Sequence, residues 1–205
     1  MNTLLLPADE PLALQQAFNT LLQGGLVAFP TDTVYGLGAL AHNTLGIEQL
    51  YAVKGRQAAK AIPILLSDIR ELSRVAYQVD SRILRLAECF WPGPLTLVVS
   101  RHASLPEILS PYPTVGVRVP DHPVALELLR LTGPLATTSA NLSNQPSATS
   151  AGEVFAQLGG RIPLILDAGK TPGGISSTVV ECSGAELVIL RQGPLSMEQL
   201  QAALE

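Results

Sequence analysis

The sequence predicts an α/β domain with a mixed sheet flanked by helices. Three observations favour this class: the helix-like windows are short, they alternate with short runs of β-branched residues, and no internal repeat or low-complexity linker interrupts them. A chain of 205 residues is long enough to bury about 70% of its unfolded surface in one core. We therefore expect residues 1–205 to form a single domain.

Composition excludes several classes of protein. A net charge of −4 with 47% apolar and 15% charged residues is unlike a disordered chain or a broadly basic nucleic-acid-binding protein. Cys89 and Cys182 lie far apart and form no CxxC pair, so neither a zinc site nor a secreted disulfide framework is indicated. The N-terminus lacks a basic region followed by an apolar stretch, and no window approaches 18 consecutive apolar residues. We expect a cytoplasmic protein without a membrane anchor.

The N-terminal elements are a helix, a strand and a second helix. Asp9 and Pro11 open the first helix, apolar residues then recur at i, i+4, i+7 and i+8, and Gly24–Gly25 ends it. LVAFP at 26–30 is typical of a strand. A second apolar helical stripe begins near Thr44.

The middle of the chain predicts a buried strand and two helices. IPILL at 62–66 is the strand, and Ser67 with Asp68 can cap the helix that follows. Asp80 begins another helix. WPGP at 91–94 ends it, because proline cannot continue a helix and moves the preceding residue out of the α region.

The C-terminal half alternates strands with helices. Apolar, β-branched runs predict strands at 95–99, 115–119, 134–138, 163–166, 177–181 and 187–191. Helical patterns lie near 122–131, 150–158 and 197–204. Periodicity does not fix the order or direction of strands, so a mixed sheet is the expectation.

Two glycine motifs do not carry the functions that they suggest. Gly169-Lys170-Thr171 lacks the glycine that a phosphate-binding loop needs five residues before its GK pair, since position 164 is Leu, and a turn is favoured. Gly36, Gly38 and Ala41 fit GxGxxA, but no acidic residue follows about 20 positions later to hold a ribose. A dinucleotide-binding fold is not favoured.

Basic residues are scarce, yet Lys54, Arg56 and Lys60 lie within seven positions where a helix should end. The cluster is a candidate anion site, or Lys54 complements the helix dipole while the others are solvated. Four polar segments at strand ends supply hydroxyl and amide groups that can bind a carboxylate, phosphate or ribose. These segments are 30–39, 114–123, 137–147 and 173–180.

Arg118 stands in an otherwise apolar strand, where a guanidinium needs an anionic partner. Alternation places it opposite Val117 and Val119, so it should point to a ligand if those valines pack in the core. The three histidines, His42, His102 and His122, have no evident carboxylate or cysteine near them. We expect no covalent nucleophile and no catalytic side chain; positioning and charge neutralisation by Lys54 and Arg56 are expected instead.

Seven segments in order carry a family resemblance: PTDTVYGLGA, KGR, FWPGPLTLVV, TVGVRVPDHP, SANLSNQPSAT, SSTVV and LRQGP. From Gly25 to about Pro194 the chain resembles the YrdC/TsaC family of threonylcarbamoyl-AMP synthases, at that family's spacings. The resemblance implies a twisted α/β sheet whose concave face holds ATP and L-threonine. The length resembles the single-domain form of the family.

The resemblance also implies a reaction and its partners. Threonine's amine takes up bicarbonate or carbon dioxide, the carbamate oxygen attacks the α-phosphorus of ATP, and pyrophosphate leaves. A downstream transferase complex then modifies adenosine in tRNA. We expect Mg²⁺ to be carried with ATP, and no metal ligands on the protein, because no carboxylates are spaced to form a cage.

The family's motifs assign two groups of site residues. The resemblance implies ATP contacts from Lys54, Arg56, Lys60, Thr114, Ser139, Asn141, Ser147 and Arg191. It implies threonine contacts from Thr33, Arg118, Thr137 and Ser177. Replacing Lys54 or Arg56 with Ala should weaken ATP use severely and leave the fold intact, because substitutions at surface positions rarely change stability.

The chain departs from many relatives at three positions. Gln57 and Ala59 replace a proline and an acidic residue, and no histidine stands near Leu65, where some relatives use one to hold threonine. Some family members are described as RNA-binding, and a related domain occurs in carbamoyl-transferring hydrogenase maturation proteins. The alternative function is therefore a double-stranded-RNA or tRNA-binding module without turnover, and the hydrogenase-maturation relationship would instead imply an enzyme that acts on another carbamoyl donor. Weak RNA binding is a further expectation for the synthase itself. A pI near 5.4 weighs against the module.

Overall fold

The computed structural model describes residues 2–55, 60–182 and 186–205. These ranges contain ten strands and six α-helices. The strands are β1 (Leu4–Pro7), β2 (Val27–Phe29), β3 (Gly36–Leu40), β4 (Ile64–Leu65), β5 (Leu95–Ser100), β6 (Thr114–Arg118), β7 (Leu135–Ser139), β8 (Leu164–Asp167), β9 (Thr178–Glu181) and β10 (Val188–Arg191). The helices are α1 (Ala13–Leu22), α2 (Thr44–Lys54), α3 (Ser81–Phe90), α4 (Pro123–Thr132), α5 (Ala151–Leu158) and α6 (Met197–Ala202). Short 3₁₀ turns occupy Ile69–Arg74 and Glu107–Leu109.

Most predicted elements are confirmed, and their capping residues explain where they start. Asn43 accepts a hydrogen bond from Gly46 at the start of α2, and Asp80 accepts one from Ile83 at the start of α3. The segment capped by Asp68 is a 3₁₀ helix rather than an α-helix. The expectation of a regular helix there was wrong, because the hydrogen bonds of this segment keep to the tighter i to i+3 pattern.

Sequence patterns missed two strands, β1 and β3. The sequence of β3 matches a dinucleotide-binding GxGxxA pattern, but its glycines are needed for packing. A Cβ on Gly36 would lie 2.9 Å from the Thr137 methyl, and one on Gly38 would lie 2.9 Å from the Phe29 ring. Glycine therefore lets β3 run closely between β2 and β7.

The sheet is mixed, as expected, with the order β1-β8-β2-β3-β7-β4-β6-β5-β9-β10 over the described residues. β1 and β2 flank β8 in parallel, and β4–β6 and β5–β9 are the other parallel pairs. The remaining ladders are antiparallel. Apart from β2–β3, β5–β6 and β9–β10, the neighbouring strands of this sheet come from segments that are distant in the sequence.

Helices cover one face of the sheet and half of the other. The larger core contains residues of α2, α3 and α5 together with Val115, Val117 and Val119. A second core packs α1 and α4 against the opposite face near Phe29 and Leu135. No helix within the described ranges is long and apolar enough to cross a membrane. The uncovered part of the second face lies over β4, β6, β5 and β9, and its side chains form the candidate site.

Candidate functional site

Two adjoining cavities lie on the uncovered face of the sheet. Cavity A, of about 100 Å³, is lined by hydroxyl groups and Arg118. Cavity B, of about 570 Å³, is lined by β5, β6 and β9 and by the segment 110–113. Pro63, Thr96 and Arg191 line both cavities. The two spaces therefore share one wall, which we call the junction.

The turn between β2 and β3 forms one side of cavity A. The Thr31 hydroxyl donates to the Val34 carbonyl at 2.7 Å and accepts from the Thr33 amide at 3.2 Å. Since Thr31 has one hydroxyl proton, the Thr33 hydroxyl must be the donor in the 3.0 Å contact between the two side chains. The turn thus holds Thr33 with its oxygen available as an acceptor.

Arg118 lies at the base of cavity A and is only 6% exposed. Its Nε donates to the Gly93 carbonyl at 2.9 Å, Nη1 donates to the Thr33 hydroxyl at 3.0 Å, and Nη2 pairs with Asp32. Burial lowers the pKa of this guanidinium, and the Asp32 carboxylate opposes that shift. Two of the five N–H groups of Arg118 have no partner in the described part of the chain, so they remain for a ligand.

The loop after β8 closes cavity A from above. The Gly174 amide donates to the Thr33 carbonyl at 2.7 Å, and a Cβ on Gly173 would lie 2.6 Å from the Asp32 carbonyl oxygen. This close approach brings Ser177 to the cavity, where its hydroxyl lies 2.8 Å from that of Thr96. The loop therefore depends on glycine where it meets the β2–β3 turn.

Arg191 joins the junction from β10. Its Nε donates to the Ser177 carbonyl and its Nη2 to the Ser177 hydroxyl, both at 3.0 Å. A Cβ on Gly193 would lie 2.3 Å from the Thr178 amide nitrogen, so the backbone after Arg191 runs directly against the start of β9. Together these contacts fix the guanidinium beside the two hydroxyls.

Lys54 lies at the end of α2 and is only 3% exposed. Its ammonium donates to the carbonyls of Ser139 and Asn141. The Asn141 amide in turn donates to the carbonyls of Leu142 and Gln145, each at 2.8 Å. Lys54 therefore ties α2 to the turn after β7 and orients Ser139 at the edge of cavity A.

The structure brings most of the sequence-predicted residues to this face. Cavity A is lined by all four residues assigned to threonine and by two assigned to ATP: Thr33, Arg118, Thr137, Ser177, Ser139 and Arg191. Thr114 lines cavity B. Lys54 and Asn141 lie behind Ser139, whereas Lys60 and Ser147 line neither cavity. Arg56 lies outside the described residues.

Sequence reasoning did not single out Thr96, Asp32 or the lining of cavity B around Tyr112 and Glu181. Thr96 carries the same signal as Arg118, because it is a polar residue between Leu95 and Leu97 in an apolar strand. Tyr112 and Glu181 carry no such signal, since their placement depends on which strands are neighbours. Leu65, near which the resemblance led us to look for a histidine, lines cavity A.

Titratable groups near cavity A are few. His122, at the start of α4, has a buried Nδ1 without a hydrogen-bond partner among the described residues. Burial lowers its pKa, and the charges of Asp32 and Asp121 oppose that shift. The expectation that His122 has no carboxylate near it was therefore wrong. Within the ranges that the structure covers, no three His, Cys, Asp or Glu side chains come together to hold a metal.

The Sua5/YciO/YrdC family model, described as "Telomere recombination", matches residues 19–193. The chain belongs to this family. A Threonylcarbamoyl-AMP synthase from Bacillus subtilis (strain 168) is 41% identical over 194 residues, which are 93% of this chain and 56% of the relative. A Putative threonylcarbamoyl-AMP synthase from Mycobacterium tuberculosis (strain ATCC 25618 / H37Rv) is 36% identical over 97% of this chain and 92% of the relative.

The fold of this chain agrees closely with that of a solved member of the family. The crystal structure of Pyrococcus abyssi Sua5 complexed with L-threonine superposes with a TM-score of 0.96 at 36% identity, covering 98% of this chain and 61% of that one. The chain thus spans a little over half the length of the Bacillus and Pyrococcus relatives. The family's α/β fold, expected from the motifs, is confirmed.

Proposed function

We propose that the chain is a threonylcarbamoyl-AMP synthase, forming threonylcarbamoyl-AMP and pyrophosphate from L-threonine, bicarbonate or carbon dioxide, and ATP. The observation that carries this is the pair of adjoining cavities, one small and hydroxylated with a buried arginine, the other larger and partly apolar. A reaction between an amino acid and a nucleotide needs two such spaces that meet. Relatives named for this activity support the same assignment.

Threonine is assigned to cavity A. Its carboxylate pairs with the two remaining N–H groups of Arg118, since a planar guanidinium fits a carboxylate through parallel hydrogen bonds. Thr33, Thr137 and Ser177 supply partners for the polar groups of the amino acid. Leu65 and Val34 supply apolar surface for its methyl group.

The nucleotide is assigned to cavity B and the junction. Tyr112, Pro113 and Leu190 provide apolar surface for a base, and Thr114 lies on the same wall. The phosphates then extend past Arg191 toward Ser139, with Lys54 holding the turn that carries Ser139. Direct phosphate contacts by Lys54, Arg56, Lys60, Asn141 and Ser147 stay predictions.

The substrates supply the reacting groups. Threonine's amine adds to carbon dioxide and loses a proton, or condenses with bicarbonate and releases water, to give a carbamate. One carbamate oxygen then attacks the α-phosphorus of ATP. The bond from that phosphorus to the β-phosphate bridging oxygen breaks, and pyrophosphate leaves with the electron pair. The protein's part in this proposal is orientation and neutralisation of charge by Arg118 and Arg191, which both line cavity A.

Mg²⁺ enters as the ATP complex in this proposal. Asp32, the carboxylate beside cavity A, already pairs with Arg118 and accepts from the Asp121 amide at 3.1 Å. Such a carboxylate is poorly placed to be one ligand of a protein-held ion. A transferase complex that modifies tRNA would consume the product, and we propose a cytoplasmic location for the protein on that ground.

The alternative, an RNA-binding module, depends on a basic strip of Lys54, Arg56 and Lys60. Lys54 is buried and donates to two backbone carbonyls, so its charge does not face a nucleic acid. Weak RNA binding by other residues stays a prediction that a salt titration of tRNA binding tests.

The test of the proposed function is pyrophosphate release with each substrate omitted in turn. We expect release to require ATP, threonine and bicarbonate together, and mass spectrometry to identify threonylcarbamoyl-AMP as the product. Removal of Mg²⁺ with a chelator should stop turnover, and the protein without nucleotide should not retain Mg²⁺ in equilibrium dialysis. Pyrophosphate release that does not depend on threonine, or no release in the complete mixture, would contradict the proposed function.

A further inference from the structure

Thr96 is the hydroxyl-bearing side chain that lines both cavities. It lies in β5, where Leu95, Leu97 and Val99 pack into the core and leave Thr96 and Val98 on the cavity face. Thr96 is only 3% exposed. If the two substrates occupy the two cavities, the atoms that react must meet beside this side chain.

Packing fixes the direction of the Thr96 side chain. The methyl group lies against β6, because a Cβ added to Gly116 would be 3.0 Å from Thr96 Cγ2 and 3.3 Å from the Pro63 Cβ. The hydroxyl therefore points the other way, to Ser177 at 2.8 Å. A β-branched side chain held in this manner has little rotamer freedom left to lose.

The hydrogen bonds leave one donor unused at the junction. The hydroxyls of Thr96 and Ser177 carry two protons, and their mutual hydrogen bond uses one of them. Arg191 Nη2 donates a further hydrogen bond to the Ser177 hydroxyl. In the described residues no protein acceptor takes the second proton. Either hydroxyl can donate in the contact between Thr96 and Ser177, so the spare proton belongs to one of the two; the arrangement in which Ser177 donates to Thr96 leaves the Thr96 hydroxyl, which lines both cavities, as the donor.

We propose that Thr96 is a reaction-centre residue, whose hydroxyl donates a hydrogen bond to the oxyanion at the junction while the carbamate is transferred to the nucleotide. This assignment rests on the proposed function. As the carbamate oxygen bonds to the α-phosphorus and the phosphorus–oxygen bond to pyrophosphate breaks, negative charge shifts among the oxygens at this point. Thr96 keeps its proton, and Arg191 polarises the chain of hydroxyls from behind.

The test compares Thr96→Val, which keeps the shape and removes the hydroxyl, with Thr96→Ser, which keeps the hydroxyl. We expect Thr96→Val to lower kcat about 100-fold, the usual effect of removing one donor to a developing oxyanion. KM for threonine and for ATP should change less than threefold, because the contact strengthens in the transition state. Thr96→Ser should retain kcat within about tenfold of the wild type.

Thr3→Val is the matched control. Thr3 is also buried, and its hydroxyl donates to the Ile162 carbonyl and accepts from the Gly160 amide, far from either cavity. The Thr3→Val change should lower the melting temperature and leave kcat unchanged. If Thr96→Val does not fold, Thr96→Ala carries the same expectation, with circular dichroism as the check.

The outcomes separate the two hypotheses. No threonine-dependent pyrophosphate release by the wild type would overturn the proposed function and this assignment with it. An active wild type with an equally active Thr96→Val would overturn this assignment alone. Loss in Thr96→Ser as large as in Thr96→Val, or a loss seen only as higher KM values, would likewise contradict a role for the hydroxyl in the transfer step.

Discussion

Lys54 combines a full positive charge with almost complete burial, and two backbone carbonyls are its acceptors. The expectation that a Lys54→Ala change leaves the fold intact assumed a surface residue and was wrong on that point. Burial of a charge is tolerated here because Ser139 and Asn141 direct their carbonyls at the ammonium. Those acceptors lie more than 80 residues away in the sequence, so no local pattern predicts the burial.

We expect Lys54→Ala to lower the free energy of unfolding by about 3 kcal/mol, because two buried carbonyls lose their donor. Urea unfolding followed by fluorescence measures this. Lys170→Ala, at an exposed position, is the control and should stay within about 0.5 kcal/mol of the wild type. Equal stability of the two variants would show that the carbonyls find other partners.

A substitution at Arg118 tests the assignment of threonine to cavity A. Lysine at this position keeps the charge but loses the planar fork that meets Thr33, Asp32 and a carboxylate. We therefore expect Arg118→Lys to raise KM for threonine at least tenfold more than KM for ATP. Two titrations, each with the other substrate saturating, measure the ratio. An ATP defect with normal threonine binding would move Arg118 to the nucleotide.

Alternation in a strand was enough to predict which way Arg118 points. Val117 and Val119 lie in the core and the guanidinium lies on the cavity face, as expected. Its partner Asp32 was not predicted, although it stands in the motif PTDTVYG. An ion pair between the β2–β3 turn and β6 depends on sheet order, which one sequence does not contain.

At the level of elements, the site depends on loops that touch backbone to backbone. The segment after β10 crosses the start of β9 so closely that Gly193 has no room for a side chain, with the Thr178 nitrogen 2.3 Å and the Ser176 oxygen 2.5 Å from its ideal Cβ. This crossing holds Arg191 against Ser177. In the sequence Gly193 looks like an ordinary turn residue, and nothing indicates this close backbone contact.

We expect Gly193→Ala to lower the free energy of unfolding by about 3 kcal/mol, since the backbone must separate to admit the methyl group. Gly152→Ala is the matched control, because nothing lies within 4 Å of its Cβ position in α5. Alanine there should raise stability by about 0.5–1 kcal/mol through helix propensity. Thermal denaturation of both variants measures these changes in stability. A Gly193→Ala variant as stable as the wild type would show that the crossing can relax.

Helices and long apolar strands were predictable because each carries its own periodicity. β1 and β3 were not. β1 is an edge strand with Leu4 and Leu5 both partly exposed, so it shows no alternation. β3 is built from residues whose small size suits its neighbours rather than from β-branched residues. In both cases the partner strand, not the local sequence, determines the structure.

For the whole molecule, the buried Tyr35 hydroxyl and Cys182 thiol limit the stability of the fold at high pH. Burial raises the pKa of Tyr35 to about 12 and that of Cys182 to about 11. In the unfolded chain these groups titrate near their ordinary values of 10.0 and 9.0. The folded state binds more protons between these values, so its stability is full below about pH 9 and decreases as pH rises toward 12.

We expect urea unfolding at pH 8, 10 and 11 to show a falling free energy of unfolding. In the double variant Tyr35→Phe, Cys182→Ala the fall should be smaller, although the variant starts from a lower stability. Cys182 should resist a thiol reagent at pH 8 while exposed Cys89 reacts, which checks the burial directly. Parallel pH profiles for the wild type and the double variant would contradict these pKa shifts.

The pairing of β8 also bears on how a growing chain acquires its structure on the ribosome. β2 ends at Phe29, yet its parallel neighbour β8 ends at Asp167, and β1 depends on the same strand. At about 5–20 residues per second, β2 waits roughly 7 to 28 seconds for its partner to be synthesised, and β1 waits slightly longer. During that interval β1 and the edge of β2 that faces away from β3 have no native neighbour. The N-terminal third of the chain is therefore the part that a nascent-chain chaperone would need to shield.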